Sequence, residues 1–225
     1  DARMRRIPRF LPLLFVVLLG GPGVAEARDE ALPGRPLWPQ PGQTDEQLYA
    51  KAMRIQSRMW WHLSPEGLLA EIHRPGATYA ELSHDCLALN DAAIWTGCYA
   101  ASQAARWHVT RDADALAQVR HLAMGLANLT KVTGIPGCLV RSVGRPLPED
   151  PKPRGTWPSN AMPGLRFRSD VSRDQLTGVT LGWWAIAKWV DDPELRQLGN
   201  EQMAAIAMRL KRHDMWLRDH RGEKT

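Results

Sequence analysis

The sequence predicts an all-α protein built from helical hairpins, with short strand-like segments between the hairpins. Five stretches carry apolar residues at helical spacing and lie between capping and helix-breaking residues. A unit of two helices occurs twice, with an offset of about 80 residues. In each unit an apolar helix precedes a more amphipathic one, so we expect every hairpin to have an inner and an outer helix.

Residues 1–27 have the pattern of a cleaved export signal. Basic residues precede the apolar run 11–19, and an Ala-Glu-Ala cleavage sequence ends at Ala27. We expect translation to start at Met4, with residues 1–3 upstream of it. The apolar run is shorter than the roughly 20 residues that a membrane span requires. The sequence therefore predicts a secreted or periplasmic protein, cleaved near Ala27, with no stable membrane anchor after cleavage.

The charge pattern argues against nucleic acid as a partner, and the cysteine spacing argues against a zinc site. The chain carries a net charge of +5, and removal of residues 1–27, with four Arg against two acids, leaves +3. Lys and Arg form no run interleaved with aromatic residues, so we expect no nucleic acid as a partner. The three cysteines, Cys86, Cys98 and Cys138, lack CxxC spacing, so we expect no zinc site, and their disulfide pairing stays open.

Several common catalytic motifs are also missing from the sequence. It contains no GxSxG, HExxH, P-loop or GxGxxG pattern. This argues against esterase, metalloprotease and nucleotide chemistry, and we expect neither a metal nor a cofactor.

The folded domain begins after a Pro/Gly-rich lead-in, residues 28–43, and we expect it to cover 44–225 and to be truncated at its C-terminus. Its first helix starts at Thr44, which has capping-box spacing to Gln47. Apolar residues continue the helical pattern to Leu63, and the Ser-Pro-Glu-Gly sequence that follows ends the helix.

Four further helices follow at the positions that apolar spacing and helix-breaking residues predict. They cover about 90–108, 114–131, 173–190 and 192–211. Shorter apolar segments are expected to be extended or strand-like, at 68–72, 138–141 and 215–218. Residues 144–170 are rich in Pro and Gly and are expected to form a long structureless loop, a feature that is often functional.

Matching residues identify the repeated unit. Asp91 and Gly97 at the first apolar helix correspond to Asp174 and Gly178 at the second. Because a single hairpin cannot bury its apolar face alone, we expect each hairpin to stack on the next.

Three segments together resemble the six-hairpin (α/α) toroids of exported bacterial glycoside hydrolases and their relatives: NDAAIWTGCYAASQAARWHVTRD, TGIPGCLVRSV and SDVSRDQLTG. The resemblance extends over residues 44–225 and accounts for two and a half of the six hairpins. It implies an incomplete ring, with an active site at one end among the loops that lead into the inner helices.

Asp91 and Asp174 start two inner helices and are the candidate catalytic pair, with Asp170 as a substitute for Asp174. The resemblance implies that both face one end of the ring, and paired carboxylates suit glycoside hydrolysis as acid and as base or nucleophile. The alternative is structural. In that case Asp91 or Asn90 caps the helix, and Ser172 with Gln175 forms a capping box in which Asp174 is a favourable first-turn acid.

Trp95 and Trp157 are the candidate sugar-binding residues because indole rings stack on the apolar faces of sugar rings. Arg141 and Arg168 are candidates for binding a substrate carboxylate, or else Arg141 pairs with an acid such as Asp170. His84 precedes an inner helix at the same end of the ring and is the last substrate-binding candidate, with a loop role as its alternative.

Together these observations predict an exported, carbohydrate-active protein that is glycoside hydrolase-like and has a carbohydrate as its substrate or ligand. Two alternatives stay open. One is a non-catalytic glycan-binding or structural protein on the same helical scaffold, and the other is a polysaccharide lyase. Whether the protein is an enzyme is therefore left open at this point.

Overall fold

The computed structural model describes residue 42 and residues 44–59, 62–69, 91–146, 151–152 and 154–225. The chain divides into two compact units, residues 1–62 and 63–225. The predicted export signal lies outside the described residues, as does the lead-in apart from residue 42. Within the described ranges, every helix is too short or too polar to span a membrane.

The first unit contains helix α1 (Asp45–Met59). The Thr44 backbone N–H donates to Gln47 Oε1 at 3.1 Å, and the Gln47 N–H donates to Thr44 Oγ1 at 3.3 Å. These two bonds form the predicted capping box and satisfy two N–H groups that would otherwise lack a partner at the helix start.

Two helical hairpins make up more than half of the described residues of the second unit. Helices α2 (Ala92–Thr110) and α3 (Ala113–Lys131) make the first hairpin, and α4 (Arg173–Trp189) and α5 (Pro193–Arg212) make the second. All four lie within a few residues of their predicted positions, because apolar spacing and capping residues act locally. The described part of the chain is therefore predominantly helical, as the sequence predicts.

The apolar helices α2 and α4 pack side by side and run parallel. A Cβ atom on Gly97 would lie 1.9 Å from the Gly178 carbonyl oxygen, and one on Gly182 would lie 2.9 Å from Gly97 Cα. Only glycine permits two helix backbones to approach this closely. At the other ends of the same helices, Arg111 forms an ion pair with Asp191. The matching glycines of the repeat therefore meet at the helix crossing.

The amphipathic helices pack on the apolar ones, α3 on α2 and α5 on α4. Asp192 caps α5 by accepting hydrogen bonds from the Glu194 and Leu195 N–H groups at 3.1 and 3.2 Å. Its carboxylate also accepts a bond from Arg120 of α3 at 2.9 Å. The Arg120 hydrogen bond and the capped N–H groups lower the pKa of Asp192 below its ordinary value. One charged cap thus joins the two hairpins.

The segment before the first hairpin is extended only in part. Leu63 pairs with Leu69 through an isolated antiparallel bridge, and the Leu69 N–H donates to Thr96 Oγ1 at 2.8 Å. Leu63 is therefore not part of α1, which ends at Met59. The predicted extended segment 68–72 is described only to Leu69.

Two of three short strands lie where the sequence predicts a structureless loop, and the third ends at the first residue of that loop. β1 (Ser142–Gly144), β2 (Trp157–Pro158) and β3 (Arg166–Arg168) form an antiparallel sheet in the order β1-β3-β2. Phe167 is only 3% exposed and pairs with Val143 on one side and with Trp157 on the other. Sequence periodicity does not reveal this sheet, since its strands span only two or three residues.

The two strand-like predictions near the hairpin ends are wrong in detail. Residues 138–141 form no strand. β1 begins after them at Ser142, which is the first residue that pairs with β3. The Val140 N–H donates instead to the Leu129 carbonyl at 2.9 Å. In the segment 215–218, only Arg218 pairs with another residue as a strand would, through an isolated bridge to Lys224.

Candidate functional site

Arg141 lies at the centre of a cluster of carboxylates near the starts of α2 and α4. Its Nη2 lies 2.9 Å from Asp91 Oδ1, and its Nη1 lies 3.5 Å from Asp170 Oδ2. Nη1 also donates to the Asp170 carbonyl oxygen at 2.8 Å. Arg168 Nη2 lies 3.7 Å from the same Asp170 carboxylate. The structure therefore brings together four candidate residues, Asp91, Asp170, Arg141 and Arg168.

Main-chain hydrogen bonds hold Arg141 in this position. Its N–H donates to the Arg168 carbonyl at 2.7 Å, and its own carbonyl accepts from the Ala93 N–H at 3.1 Å. Strand β3 and the first turn of α2 thus hold the residue from both sides. Its side chain is only 20% exposed. A guanidinium held in this way presents its planar donors in a fixed direction.

Asp91 occupies the N-cap position of α2, but its side chain does not cap the helix. Its backbone has φ −110° and ψ 26°, and its side chain makes no capping hydrogen bond. The carboxylate instead accepts from Arg141 and, at 3.1 Å, from Nε2 of the buried Gln175 on α4. The capping interpretation is therefore wrong for Asp91, whose carboxylate joins the starts of the two inner helices.

Asp174 lies at the exposed start of α4, beside Gln175. Ser172 and Gln175 form the predicted capping box, with the Ser172 N–H donating to Gln175 Oε1 at 3.4 Å. The Ser172 hydroxyl donates to the Asp174 carboxylate. This bond, aided by the positive charge of Arg141 and opposed by partial burial, lowers the pKa of Asp174 below its ordinary value. Asp174 is therefore ionised at neutral pH, as a general base or nucleophile must be.

An open groove with a volume of about 1080 Å³ runs beside the Arg141 cluster. Residues near β2 and β3, the start of α4 and the segment 215–225 border it. Four candidate residues line it, namely Arg141, Arg168, Asp170 and Trp157. The charged residues that line the groove in the described part of the chain are five basic and three acidic ones: Arg141, Arg168, Arg173, Arg221 and Lys224, with Asp170, Asp219 and Glu223. The groove is therefore net positive.

Two tryptophans line this groove, Trp157 and Trp216, and they are 37% and 49% exposed. The Arg221 guanidinium carbon lies 5.0 Å from the centre of the Trp157 ring, and Lys224 Nζ lies 3.9 Å from the centre of the Trp216 ring. A cation over an indole face is attracted by the ring quadrupole. Each exposed indole in the groove therefore has a positive charge beside it.

The His220 ring packs against two aromatic rings of the sheet, those of Trp157 in β2 and Phe167 in β3. Its ring centre lies 4.9 Å from that of Trp157 and 5.1 Å from that of Phe167. Its Nδ1 is buried and has no hydrogen-bond partner among the described residues. Burial lowers the pKa of His220 below its ordinary value, since a charged imidazole would lose its hydration there. A neutral imidazole thus holds the C-terminal segment against β2 and β3.

The remaining predicted site residues do not line the groove. Trp95 is half-buried on α2 and is not among the lining residues. Asp91 and Asp174 contact groove residues without lining the groove themselves. His84 lies outside the described residues.

Three groove residues of the C-terminal segment, Trp216, Arg221 and Lys224, are not among the residues predicted from the sequence, and neither is Arg173 at the start of α4. Of these three, only Trp216 lies in the segment 215–218 that the apolar pattern predicts to be strand-like. A signal was available in the composition, since the chain has ten Trp against three Tyr and three Phe. A tryptophan outside the helical pattern, among charged residues, has less reason to lie in the core and is a binding candidate.

The cysteines of the described part form no disulfide. Cys98 and Cys138 are free thiols, and burial raises the pKa of each. Cys86 lies outside the described residues. In the described ranges, no group of three or more His, Cys, Asp or Glu side chains is placed to hold a metal ion.

Comparison with protein-family models, with curated proteins and with solved structures finds no match to this chain. Support for a function therefore comes from the geometry of the groove and of the Arg141 cluster.

Proposed function

We propose that this chain is an exported carbohydrate-active protein whose groove binds a glycan. One observation carries the proposal: two partly exposed tryptophans, Trp157 and Trp216, line the same groove as Arg141 and Asp170. Indole faces stack on the apolar faces of sugar rings. Guanidinium and carboxylate groups supply charge-assisted hydrogen bonds to sugar hydroxyls. A groove with both kinds of group suits a chain of sugar rings.

The proposal extends to the arrangement of the hairpins, which we take to be that of the six-hairpin (α/α) toroids. The parallel packing of α2 and α4 supports this, because inner helices of such a ring all run in one direction. The packing of α3 on α2 and of α5 on α4 supports it as well. In this arrangement the groove lies at the end of the ring where the loops lead into the inner helices.

Glycoside hydrolysis is the second candidate function, and the three carboxylates near Arg141 favour it. Asp174, whose pKa is lowered, suits the role of general base or nucleophile. Asp91, which binds Arg141, is its partner in the candidate pair, and Asp170, which lines the groove, is the substitute for Asp174. The separation of the two working carboxylates would decide whether the configuration of the sugar is retained or inverted.

A panel of soluble oligosaccharides tests both functions with the mature chain. Titration calorimetry at neutral pH is expected to detect saturable binding of at least one glycan, together with a change in tryptophan fluorescence. A reducing-end assay on the bound glycan then distinguishes an enzyme from a binding protein. If the chain is an enzyme, Asp174→Asn abolishes turnover and retains binding. If no glycan in the panel binds, the proposed function is wrong.

A further inference from the structure

We infer that the groove selects glycans that carry carboxylates, such as chains of uronate sugars, and that Arg173 and Lys224 bind those carboxylates. The inference rests on the proposed glycan binding of the same groove and adds the chemical class of the ligand. The reason is that some of the five basic side chains in the groove already form ion pairs with carboxylates of the protein and others do not.

Three of these basic side chains already have carboxylate partners. Arg141 pairs with Asp91, and both Arg141 and Arg168 lie within 3.7 Å of the Asp170 carboxylate. Arg221 Nε lies 3.0 Å from Asp219 Oδ2. Their positive charge is thus balanced inside the protein, and they shape the groove more than they attract an anion.

Arg173 and Lys224 differ from these three. Both side chains are exposed and line the groove, and neither pairs with a carboxylate among the described residues. Lys224 instead lies over the Trp216 ring, with its Nζ 3.9 Å from the ring centre. The net positive charge of the groove therefore resides on these two side chains, where a ligand anion can reach it.

A uronate fits this arrangement for a geometric reason. Its carboxylate is attached directly to the sugar ring, so a ring stacked beside Trp216 carries its charge within reach of a cation next to the indole. A carboxylate also matches the planar donors of a guanidinium, such as that of Arg173, through two parallel hydrogen bonds.

Three probes of similar length test the inference by titration calorimetry at physiological salt: hexagalacturonate, cellohexaose and a sulfated carrageenan hexasaccharide. We expect hexagalacturonate to bind about 10-fold more tightly than cellohexaose, given the strength of charge-assisted hydrogen bonds. Arg173→Ala and Lys224→Ala should each weaken hexagalacturonate binding by about 5- to 10-fold. The same variants should change cellohexaose binding by less than about 2-fold.

Lys188→Ala is the matched control, because Lys188 is an exposed lysine of α4 that does not line the groove. It should leave all affinities unchanged, and an equal loss in this variant would mean that only the overall charge attracts the anion. Equal binding of cellohexaose and hexagalacturonate, unaffected by Arg173→Ala, would overturn the inference and leave glycan binding intact. Tighter binding of the sulfated probe would overturn the preference for carboxylate. Failure of hexagalacturonate to bind would overturn this inference, whereas glycan binding itself is contradicted only if no oligosaccharide of the wider panel binds.

Discussion

The Gln175 side-chain amide donates to Asp91 Oδ1 over 3.1 Å, while its amide oxygen accepts from the Ser172 N–H at 3.4 Å. The buried Gln175 side chain therefore completes the capping box of α4 and also bonds to Asp91 at the start of α2. Arg141 binds the same Asp91 oxygen at 2.9 Å. The two inner helices are thus tied together next to the groove by a glutamine, an aspartate and an arginine.

Replacing Asp91 with alanine should destabilise the fold. The change leaves the mostly buried Arg141 guanidinium and the buried Gln175 amide without their shared acceptor. Loss of the acceptor from a partly buried, hydrogen-bonded charged pair costs about 1–3 kcal/mol of unfolding free energy. Urea unfolding followed by circular dichroism measures this loss.

Asp170→Ala serves as the control for this substitution. The Asp170 side chain is 59% exposed and contacts the same Arg141 at 3.5 Å. Exposed ion pairs contribute little, so we expect a change below about 0.5 kcal/mol. Equal unfolding free energies for Asp91→Ala and the unmodified protein would contradict a tie between the inner helices.

Gly97→Ala should be among the most damaging substitutions in the chain. A methyl group at this position would lie 1.9 Å from the Gly178 carbonyl oxygen, so the backbones of α2 and α4 would have to separate. We expect a loss of about 3 kcal/mol or more, or failure to fold. Lys188→Ala, an exposed change on α4, should alter stability by less than about 0.5 kcal/mol in the same thermal and urea unfolding series. A well-folded Gly97→Ala protein of normal stability would show that the helices do not cross at these glycines.

His220 should make stability depend on pH. Burial lowers its pKa in the folded state below the ordinary 6.5, while nearby Asp219 and Glu223 raise it and Arg221 lowers it further. The unfolded chain therefore takes up the proton first as the pH falls. The contribution of His220 to stability is full above about pH 6.5 and is lost as the pH falls through its folded-state pKa.

Urea unfolding at several pH values between about 7.5 and 5 measures this effect. His220→Phe keeps a ring between Trp157 and Phe167 and removes the titrating group. The variant should lose less stability over this pH range than the unmodified protein. A steeper loss in the variant would mean that the imidazole is stabilised in its charged form.

The hairpins could be predicted from the sequence because their signals are local. Apolar spacing identifies the helices, the Thr44 and Gln47 spacing identifies a capping box, and the repeat pairs Gly97 with Gly178 before any packing is known. The sheet could not be predicted in this way. Its strands are two or three residues long, and β1 finds its partner β3 across more than twenty intervening residues.

The candidate site, like the fold, could be predicted from the sequence only in part. Arg141, Asp170 and Trp157 are predicted site residues that do line one groove. The role of Asp91 could not be read locally, since a helix start is the usual place for a capping aspartate and only the folded structure brings Arg141 to it. The position of Trp216 in the groove could not be read locally either. It depends on the C-terminal segment packing against β2 and β3.

The measurement that tests glycan binding by the groove most directly is the calorimetric affinity of one bound oligosaccharide for three tryptophan variants. Trp157→Ala and Trp216→Ala remove the two indoles that line the groove, and each should weaken binding by about 10-fold, the usual effect of one stacked ring. Trp184→Ala removes an indole that is 47% exposed on α4 and lies outside the groove, so the affinity should not change. Unchanged affinity in the first two variants, or an equal loss in all three, would contradict the assignment of the groove as a glycan site.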